Sequence, residues 1–155
     1  MAYNFYGWQT AGNVKAIDHT YGGIETPLDL YDALSSIWCA DTCAPRMRAE
    51  WTEGNRTLGQ CSITAFLAQD IFGGEVYAMP TDNGGVHCYN VVGGYTFDLT
   101  SEQFGEGAAK LCYEGNELQE RESEGHFGKE EKRRRYEYLK ERLRHQDTTD
   151  TGYYP

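Results

Sequence analysis

Residues 61–74 read CSITAFLAQDIFGG, and this run is the strongest structural signal in the chain. It is apolar around most of its circumference, which is typical of a helix that is buried on all sides. The pair Gly73-Gly74 ends the run, because glycine readily adopts the backbone conformation that closes a helix. The sequence therefore predicts a buried central helix from Cys61 to Phe72.

Strand-like segments follow this helix at residues 75–79, 86–92 and 95–99. The last two are separated only by Gly93-Gly94, which is the spacing and composition of a β-hairpin turn. One helix docked on an antiparallel sheet is the simplest architecture for this order of elements. We therefore expect an α+β fold.

The segment before the central helix contains a second helix and a long loop. Thr26-Pro27-Leu28-Asp29 combines a hydroxyl cap, a proline at the first helical position and an acid in the first turn. These signals predict a helix that runs to about Trp38. Residues 39–60 show little periodicity and are expected to form a long ordered loop.

The C-terminal part is highly charged. Residues 129–145 are expected to form a basic helix with a narrow apolar stripe, and residues 146–155 a flexible tail. The stripe consists of Tyr136, Leu139 and Leu143.

A chain of 155 residues is in the size range of one domain. We expect a single α+β domain over residues 1–145, whose first 25 residues are not assigned to an element.

Charge and composition restrict the partners and the location of the protein. A net charge of −10 argues against binding of nucleic acid, which depends on clustered Lys and Arg. The basic helix 129–145 is a candidate site for a protein partner, although its charges also suit local pairs with neighbouring glutamates. No apolar run reaches membrane-spanning length, and no signal peptide is recognisable. An odd number of cysteines, five, favours reduced thiols and a cytoplasmic location.

Cys61 is placed in the first turn of the central helix, where a thiol can become a nucleophile. Unpaired backbone N–H groups and the positive end of the helix dipole stabilise a thiolate at this position. Gly59 allows a sharp turn into the helix. The side-chain amide of Gln60 and the backbone N–H of Cys61 are candidate donors to an oxyanion.

The hairpin places a histidine and an aspartate on one face of the sheet. Counting outward from Gly93-Gly94 pairs Tyr89 with Asp98, so that His87 and Asp98 are diagonal neighbours, about 7 Å apart at the backbone. A carboxylate at this distance can orient an imidazole. Cys88 points to the opposite face and is therefore not the thiol expected to pair with His87. The sequence thus predicts a catalytic triad of Cys61, His87 and Asp98.

Each of these residues also has a structural interpretation. A cysteine in an apolar helix is ordinarily a small buried side chain, a buried histidine can be satisfied by a neighbour, and Asp98 can cap the segment after it. Trp51, in the long loop, and Tyr89, beside His87, are candidate cleft residues that equally suit packing. Cys39 and Cys43 offer a loose metal-binding spacing, but we expect neither a metal nor another cofactor.

Four segments carry a resemblance to the bacterial YunG family over roughly residues 26–145: LGQCSITA (58–65), QDIFGG (69–74), HCYN (87–90) and DLTSEQF (98–104). More distantly, the order Cys, then His-x-aromatic, then Asp-x-Thr is similar to transglutaminase-like and papain-like thiol enzymes. That resemblance implies a core in which a helix-borne cysteine faces a histidine and an aspartate on adjacent strands.

The function expected from these residues is that of a cysteine-dependent hydrolase or acyltransferase. It acts on an amide, isopeptide or thioester carbonyl of a small-molecule or peptide substrate that the sequence does not identify. The alternative is a non-catalytic binding or regulatory domain that keeps the same scaffold and engages a partner through the basic helix or the cleft.

Overall fold

The computed structural model describes residues 2–82 and 84–150, the last four as helical backbone only. The α-helices are α1 (Trp8–Ala11), α2 (Pro27–Leu34), α3 (Cys61–Phe72) and α4 (Glu130–Asp150). The strands are β1 (Glu75–Pro80), β2 (Val86–Val92), β3 (Tyr95–Phe97) and β4 (Glu117–Leu118). Three 3-10 segments complete the order, at Ala40–Thr42, Pro45–Glu50 and Ser101–Lys110. The α+β class expected from the sequence is confirmed.

Helix α3 has the bounds that the sequence predicts, Cys61 and Phe72. It is buried along most of its length, and it ends at Gly73, whose φ of 81° belongs to the left-handed region. The helix packs on β1 and β2. The side-chain amide of Asn90 on β2 donates a hydrogen bond of 2.8 Å to the carbonyl of Ala65, which fixes helix and sheet relative to each other.

The sheet is antiparallel, with strand order β3-β2-β1-β4. Its hairpin has the predicted register, since Val92 lies opposite Tyr95. Strand β3 ends at Phe97, two residues before the predicted end at Leu99. The reason is that the chain leaves the hairpin at Asp98. The backbone N–H of Asp98 donates to the carbonyl of Tyr6 at 2.9 Å instead of to β2. Residues of the N-terminal segment therefore complete the edge of the sheet.

Helix α2 is shorter than predicted and ends at Leu34 instead of Trp38. Its start is as predicted, because the Asp29 carboxylate accepts a hydrogen bond from the Thr26 N–H at 3.1 Å. Ile37 and Trp38 follow in turns, yet both side chains are buried in the core, as the periodicity indicates. The predicted loop 39–60 contains two of the 3-10 segments.

Helix α4 buries the predicted stripe of Tyr136, Leu139 and Leu143. It is longer than the expected range 129–145, so the predicted tail 146–155 is corrected: residues 146–150 are helical, and 151–155 lie outside the described residues. Several basic side chains pair with glutamates one turn away, such as Arg134 with Glu130 at 2.9 Å. Within the described part of the chain, no helix is both long and apolar enough to cross a membrane.

Candidate active site

Cys61 is the first residue of α3 and its side chain is partly exposed. The backbone N–H groups of Cys61, Ser62 and Ile63 have no backbone acceptor among the described residues, as is normal for the first turn of a helix. The Cys61 sulfur lies 3.9 Å from the carbonyl oxygen of Val86, where β2 begins. The thiol therefore sits between the positive end of a helix and the start of the central strand.

Gly59 makes the turn into this helix, with a φ of +71°. A β-carbon at this position would lie 2.5 Å from the sulfur of Cys43 and 3.0 Å from the backbone nitrogen of Ala44. Both distances are too short, and the second neighbour is backbone that cannot move aside. Glycine is thus required at the sharp turn predicted here, both because φ is positive and because there is no space for a β-carbon.

Gly59→Ala is expected to lower the free energy of unfolding by roughly 2–4 kcal/mol, the sum of backbone strain and overpacking. Gly115→Ala is the matched control, because Gly115 has a φ of +73° and no atom within 4 Å of the added carbon. The control is expected to lose only about 1 kcal/mol, from the backbone alone. Chemical denaturation of both variants measures the difference, and equal losses would contradict the steric argument.

His87 and Asp98 form the contact that the hairpin register predicts. His87 Nε2 and Asp98 Oδ2 are 2.6 Å apart, and both residues are only 1% exposed. The ring of Phe104 packs edge-on against the imidazole, with 4.8 Å between centroids. Because Nε2 is committed to the carboxylate, Nδ1 is the nitrogen left to interact with the Cys61 thiol, which lines the same cleft and raises the pKa of His87. The structure therefore brings all three residues of the predicted triad together.

The Asp98 carboxylate is held by partners that the sequence analysis does not identify. The hydroxyl of Tyr113 donates to Oδ2 at 2.6 Å, and the backbone N–H of Thr100 donates to Oδ1 at 3.2 Å. The ring of Tyr113 stacks on that of Tyr6 at 3.8 Å. Burial raises the pKa of Tyr113, and the nearby carboxylate raises it further, so its hydroxyl remains a donor. Tyr113 is a positioning residue for Asp98.

Electrostatics favour an ion pair between thiolate and imidazolium. Burial by itself lowers the pKa of His87, but the Asp98 carboxylate outweighs burial and, together with Cys61, raises the pKa to about 10. The pKa of Cys61 is lowered well below its usual range by a hydrogen bond from Cys88 and by the His87 imidazolium, against the opposing effect of burial. Both shifts favour the form in which the proton is on the imidazole and the sulfur is a thiolate.

Cys88 is a neighbour of Cys61 that the sequence analysis does not anticipate. It lies on the core side of β2, as strand alternation predicts, and is buried. Helix α3 packs on this strand, and Cys88 is the first cause of the lowered pKa of Cys61. The pKa of Cys88 is raised well above its usual range by the hydrogen bond to Cys61 and by burial. The raised pKa keeps Cys88 protonated, whereas the lowered pKa of Cys61 favours its thiolate.

A cleft of about 800 Å³ opens at Cys61 and His87. One wall comes from the loop before α3, and another from the 3-10 segment that carries Gln103 and Phe104. The start of α4 and the residue before it provide a third wall, with Lys129, Lys132 and Arg135. The wall from α4 could not be inferred from the sequence, because nothing in residues 111–128 indicates where the chain returns.

The predicted role of Gln60 as an oxyanion donor is not supported by its position. The side chain is 0% exposed, does not line the cleft, and donates from Nε2 to the Cys39 carbonyl at 3.1 Å. Its Oε1 has no hydrogen-bond partner among the described residues. The reason is that Gln60 turns into the loop before α3, so the free N–H groups at the helix start are the donors nearest the thiol.

Trp51 and Tyr89 also lie outside the cleft lining. The indole N–H of Trp51 donates to the Arg56 carbonyl at 3.0 Å and so closes its own loop. Tyr89 is buried and stacks on Tyr77, and its hydroxyl donates to the Tyr113 carbonyl at 3.3 Å. Although Tyr89 shares a strand face with His87, its side chain packs next to the segment that positions Asp98.

No metal centre is found among the residues that the structure describes, in which no group of three or more His, Cys, Asp or Glu side chains is placed to hold an ion. Cys43 is buried and its thiol donates to the Ala44 carbonyl at 3.5 Å. Cys39 lies against the hydroxyl of Thr42. The loose Cys39 and Cys43 spacing is therefore accounted for by local packing.

Fold and site together define an α+β protein in which a thiol at the start of a helix shares a cleft with a histidine that is paired with a buried carboxylate. The family model described as YunG protein matches residues 26–147, and the chain belongs to the YunG family. The chain is similar to a protein of Bacillus subtilis (strain 168) described as "Uncharacterized protein YunG", with 43% identity over 56 residues. The match covers 36% of this chain and 48% of the relative, so the chain spans about half the length of the curated relative. No solved structure matches the chain significantly.

Proposed function

We propose that the protein is a cysteine-dependent hydrolase or acyltransferase of the transglutaminase-like or papain-like kind. The observation that supports this proposal is the position of His87, which is paired with the Asp98 carboxylate at 2.6 Å through Nε2 and lines the same cleft as the Cys61 thiol. This arrangement provides the three groups of a thiol enzyme: an activated nucleophile, a base and an orienting carboxylate.

In the proposed reaction the Cys61 thiolate attacks the carbonyl carbon of an amide, isopeptide or thioester. A C–S bond forms and the carbonyl π electrons move to oxygen, where the N–H groups at the start of α3 stabilise the negative charge. The oxyanion then collapses, and the leaving group departs with the proton held by His87. An acyl thioester on Cys61 remains.

The second half of the reaction releases the acyl group. A water molecule, or an amine in the case of transfer, gives a proton to His87 and attacks the thioester carbonyl. The C–S bond breaks and the sulfur leaves as the thiolate, so that the site returns to its starting protonation state. Every step uses groups of the protein and no cofactor.

Burial divides the site into a reactive and a supporting part. His87 and Asp98 are each 1% exposed, whereas the Cys61 side chain is partly exposed to the cleft. A substrate therefore meets the sulfur first, and the ion pair behind it is shielded from bulk water, where it would be weaker. The proposal also assigns the protein to the cytoplasm, since a reducing compartment keeps such a thiol active.

Acylation of individual cysteines by p-nitrophenyl acetate tests the proposal. Cys61 is expected to form the acetyl thioester at pH 7 at least about ten times faster than Cys112, an exposed thiol that serves as internal reference. Peptide mapping by mass spectrometry locates the adduct, and release of p-nitrophenol beyond one equivalent shows turnover. Cys61→Ser is expected to abolish both signals.

Acylation of Cys61 no faster than that of Cys112 would contradict the proposal. The alternative, a non-catalytic binding or regulatory domain on the same scaffold, would then be the better interpretation. His87→Gln provides a further control, since it keeps a polar side chain of similar length but cannot carry the proton. This variant is expected to acylate Cys61 slowly and to release acetate more slowly still.

A further inference from the structure

The cleft beside Cys61 has a charge opposite to that of the molecule as a whole. Four cationic side chains line it, Arg46, Lys129, Lys132 and Arg135, against one carboxylate, that of Glu131. The chain carries a net charge of −10, so the positive charge of the cleft differs from that of the surface as a whole. A local excess of positive charge in a cleft concentrates anionic ligands there.

One of these cations is neutralised by the protein itself. Arg135 is buried, pairs with Glu131 at 2.8 Å and donates to the Thr42 carbonyl at 3.0 Å, which links α4 to the 3-10 segment at residues 40–42. Arg46, Lys129 and Lys132 have no carboxylate within ion-pair distance among the described residues. Three positive charges are thus left for a ligand.

Lys132 is the most constrained of the three. Its ammonium group donates to the Gly125 carbonyl at 2.8 Å and to His126 Nδ1 at 3.1 Å. The other ring nitrogen of His126 lies 2.8 Å from Gln119 Oε1, so the imidazole acts as a neutral acceptor toward Lys132. Burial, and then the charge of Lys132, lower the pKa of His126 to about 4, which keeps this ring neutral at physiological pH.

The ammonium group of Lys132 is therefore held in place, but its charge is not neutralised by a carboxylate. Two neutral acceptors fix its nitrogen, and the third N–H of the ammonium group has no acceptor among the described residues. Burial lowers the pKa of Lys132, and this side chain lines the same cleft as Cys61. An anion bound here would offset the loss of hydration that this half-buried charge suffers.

We infer that the substrate is an acyl donor that carries a carboxylate, bound by Lys132 inside the cleft and attracted by Arg46 and Lys129 at its rim. The inference rests on the proposed function, because it names the substrate class of the same site. The carboxylate lies near the scissile carbonyl, on the side of the cleft formed by α4. A neutral donor of the same size loses this contact.

Two alkylating reagents that differ mainly in charge test the inference without a known substrate. Iodoacetate carries a carboxylate next to its reactive carbon, and iodoacetamide is its neutral counterpart. The ratio of their second-order rate constants is expected to be about tenfold higher at Cys61 than at Cys112, and to fall as salt is added. Mass spectrometry of the two cysteine-containing peptides gives both ratios in one sample.

Variants separate the cleft cations from the His87 imidazolium, which also attracts anions. Lys132→Gln is expected to lower the ratio at Cys61 about three- to tenfold, and Arg46→Gln and Lys129→Gln about two- to threefold each. Arg134→Gln is the matched control, since this side chain is exposed, pairs with Glu130 and does not line the cleft. The control is expected to leave the ratio unchanged.

A ratio at Cys61 no higher than that at Cys112 would overturn the inference. A high ratio that stays unchanged in Lys132→Gln, Arg46→Gln and Lys129→Gln would overturn it as well, because the attraction would then come from elsewhere. Failure of the proposed function has a different signature, since iodoacetamide alone would then react with Cys61 no faster than with Cys112. Arg46 and Lys129 are exposed, so their variants test the inference even if Lys132→Gln folds poorly.

Discussion

Replacement of His87 by alanine is expected to slow the alkylation of Cys61 by iodoacetamide at pH 6 by about 10- to 100-fold. The wild-type thiol has a lowered pKa, and the raised pKa of His87, about 10, keeps the imidazolium present across the neutral range. The wild-type rate should therefore be nearly constant from the low pKa of Cys61 up to about pH 10. Without the imidazolium, the thiolate fraction at pH 6 approaches that of a free cysteine, below about 1%.

The pH profile distinguishes this loss from a loss of structure. In His87→Ala the rate at pH 9 is expected to approach the wild-type rate, because the thiolate then forms without help. Cys112 serves again as the internal reference, since its alkylation should not respond to the substitution. A profile for Cys61 that keeps its low midpoint in the variant would show that Cys88 and the helix start alone lower the pKa, and that His87 is not the base.

Asp98→Ala is expected to lower the free energy of unfolding by about 3–5 kcal/mol at pH 6. The substitution leaves the buried imidazolium of His87 without its counter-ion, and it removes the acceptor of the Tyr113 hydroxyl and of the Thr100 N–H. Each buried donor left without an acceptor adds to the loss. Denaturant titration of the variant and the wild type measures the difference.

The sign of the pH dependence follows from the raised pKa of His87. A group with a raised pKa in the folded state stabilises the fold fully below its unfolded value of 6.5, and this stabilisation is lost as the pH rises through about 10. The difference between wild type and Asp98→Ala is therefore expected to be larger at pH 6 than at pH 9.

Asp98→Asn serves as the matched control, because it keeps the size and one acceptor oxygen but removes the charge. The free energy of unfolding of Asp98→Asn should lie between that of the wild type and that of Asp98→Ala. A loss below about 1 kcal/mol for Asp98→Ala would mean that the three hydrogen bonds contribute little to the net stability, contrary to the usual behaviour of a buried pair.

The central part of the fold could be predicted from the sequence because its signals are local. The apolar run from Cys61 to Phe72 has one interpretation as a helix, and the glycines after it mark its end. The Gly93-Gly94 turn fixes the register of β2 against β3, and simple counting then brings His87 and Asp98 together. The main contacts of the predicted triad are therefore encoded within about forty residues of continuous chain.

The rest of the site comes from segments that are distant in the sequence, and no local sequence pattern indicates that they return to the sheet. Tyr113 reaches Asp98 from an irregular segment after the last 3-10 helix, and Lys132 reaches the cleft from the far end of the chain. Strand alternation correctly places Cys88 and His87 on opposite faces of β2. It does not predict that Cys88 affects the pKa of Cys61, which belongs to the helix packed on that strand. Gln60, although adjacent to Cys61, is turned away by a hydrogen bond to Cys39.

The bridge between Tyr6 and Asp98 affects how the boundaries of this protein should be drawn. The family match begins at residue 26, whereas the backbone carbonyl of Tyr6 accepts a hydrogen bond from the Asp98 N–H, and the Tyr6 N–H donates one to the Ser101 hydroxyl oxygen. A fragment trimmed to the matched residues would keep the thiol, imidazole and carboxylate but lose the backbone bridge from Tyr6 that holds the Asp98 segment. The contacts that hold the site therefore extend beyond the residues that the family model matches, and the N-terminal segment should be kept when the protein is expressed.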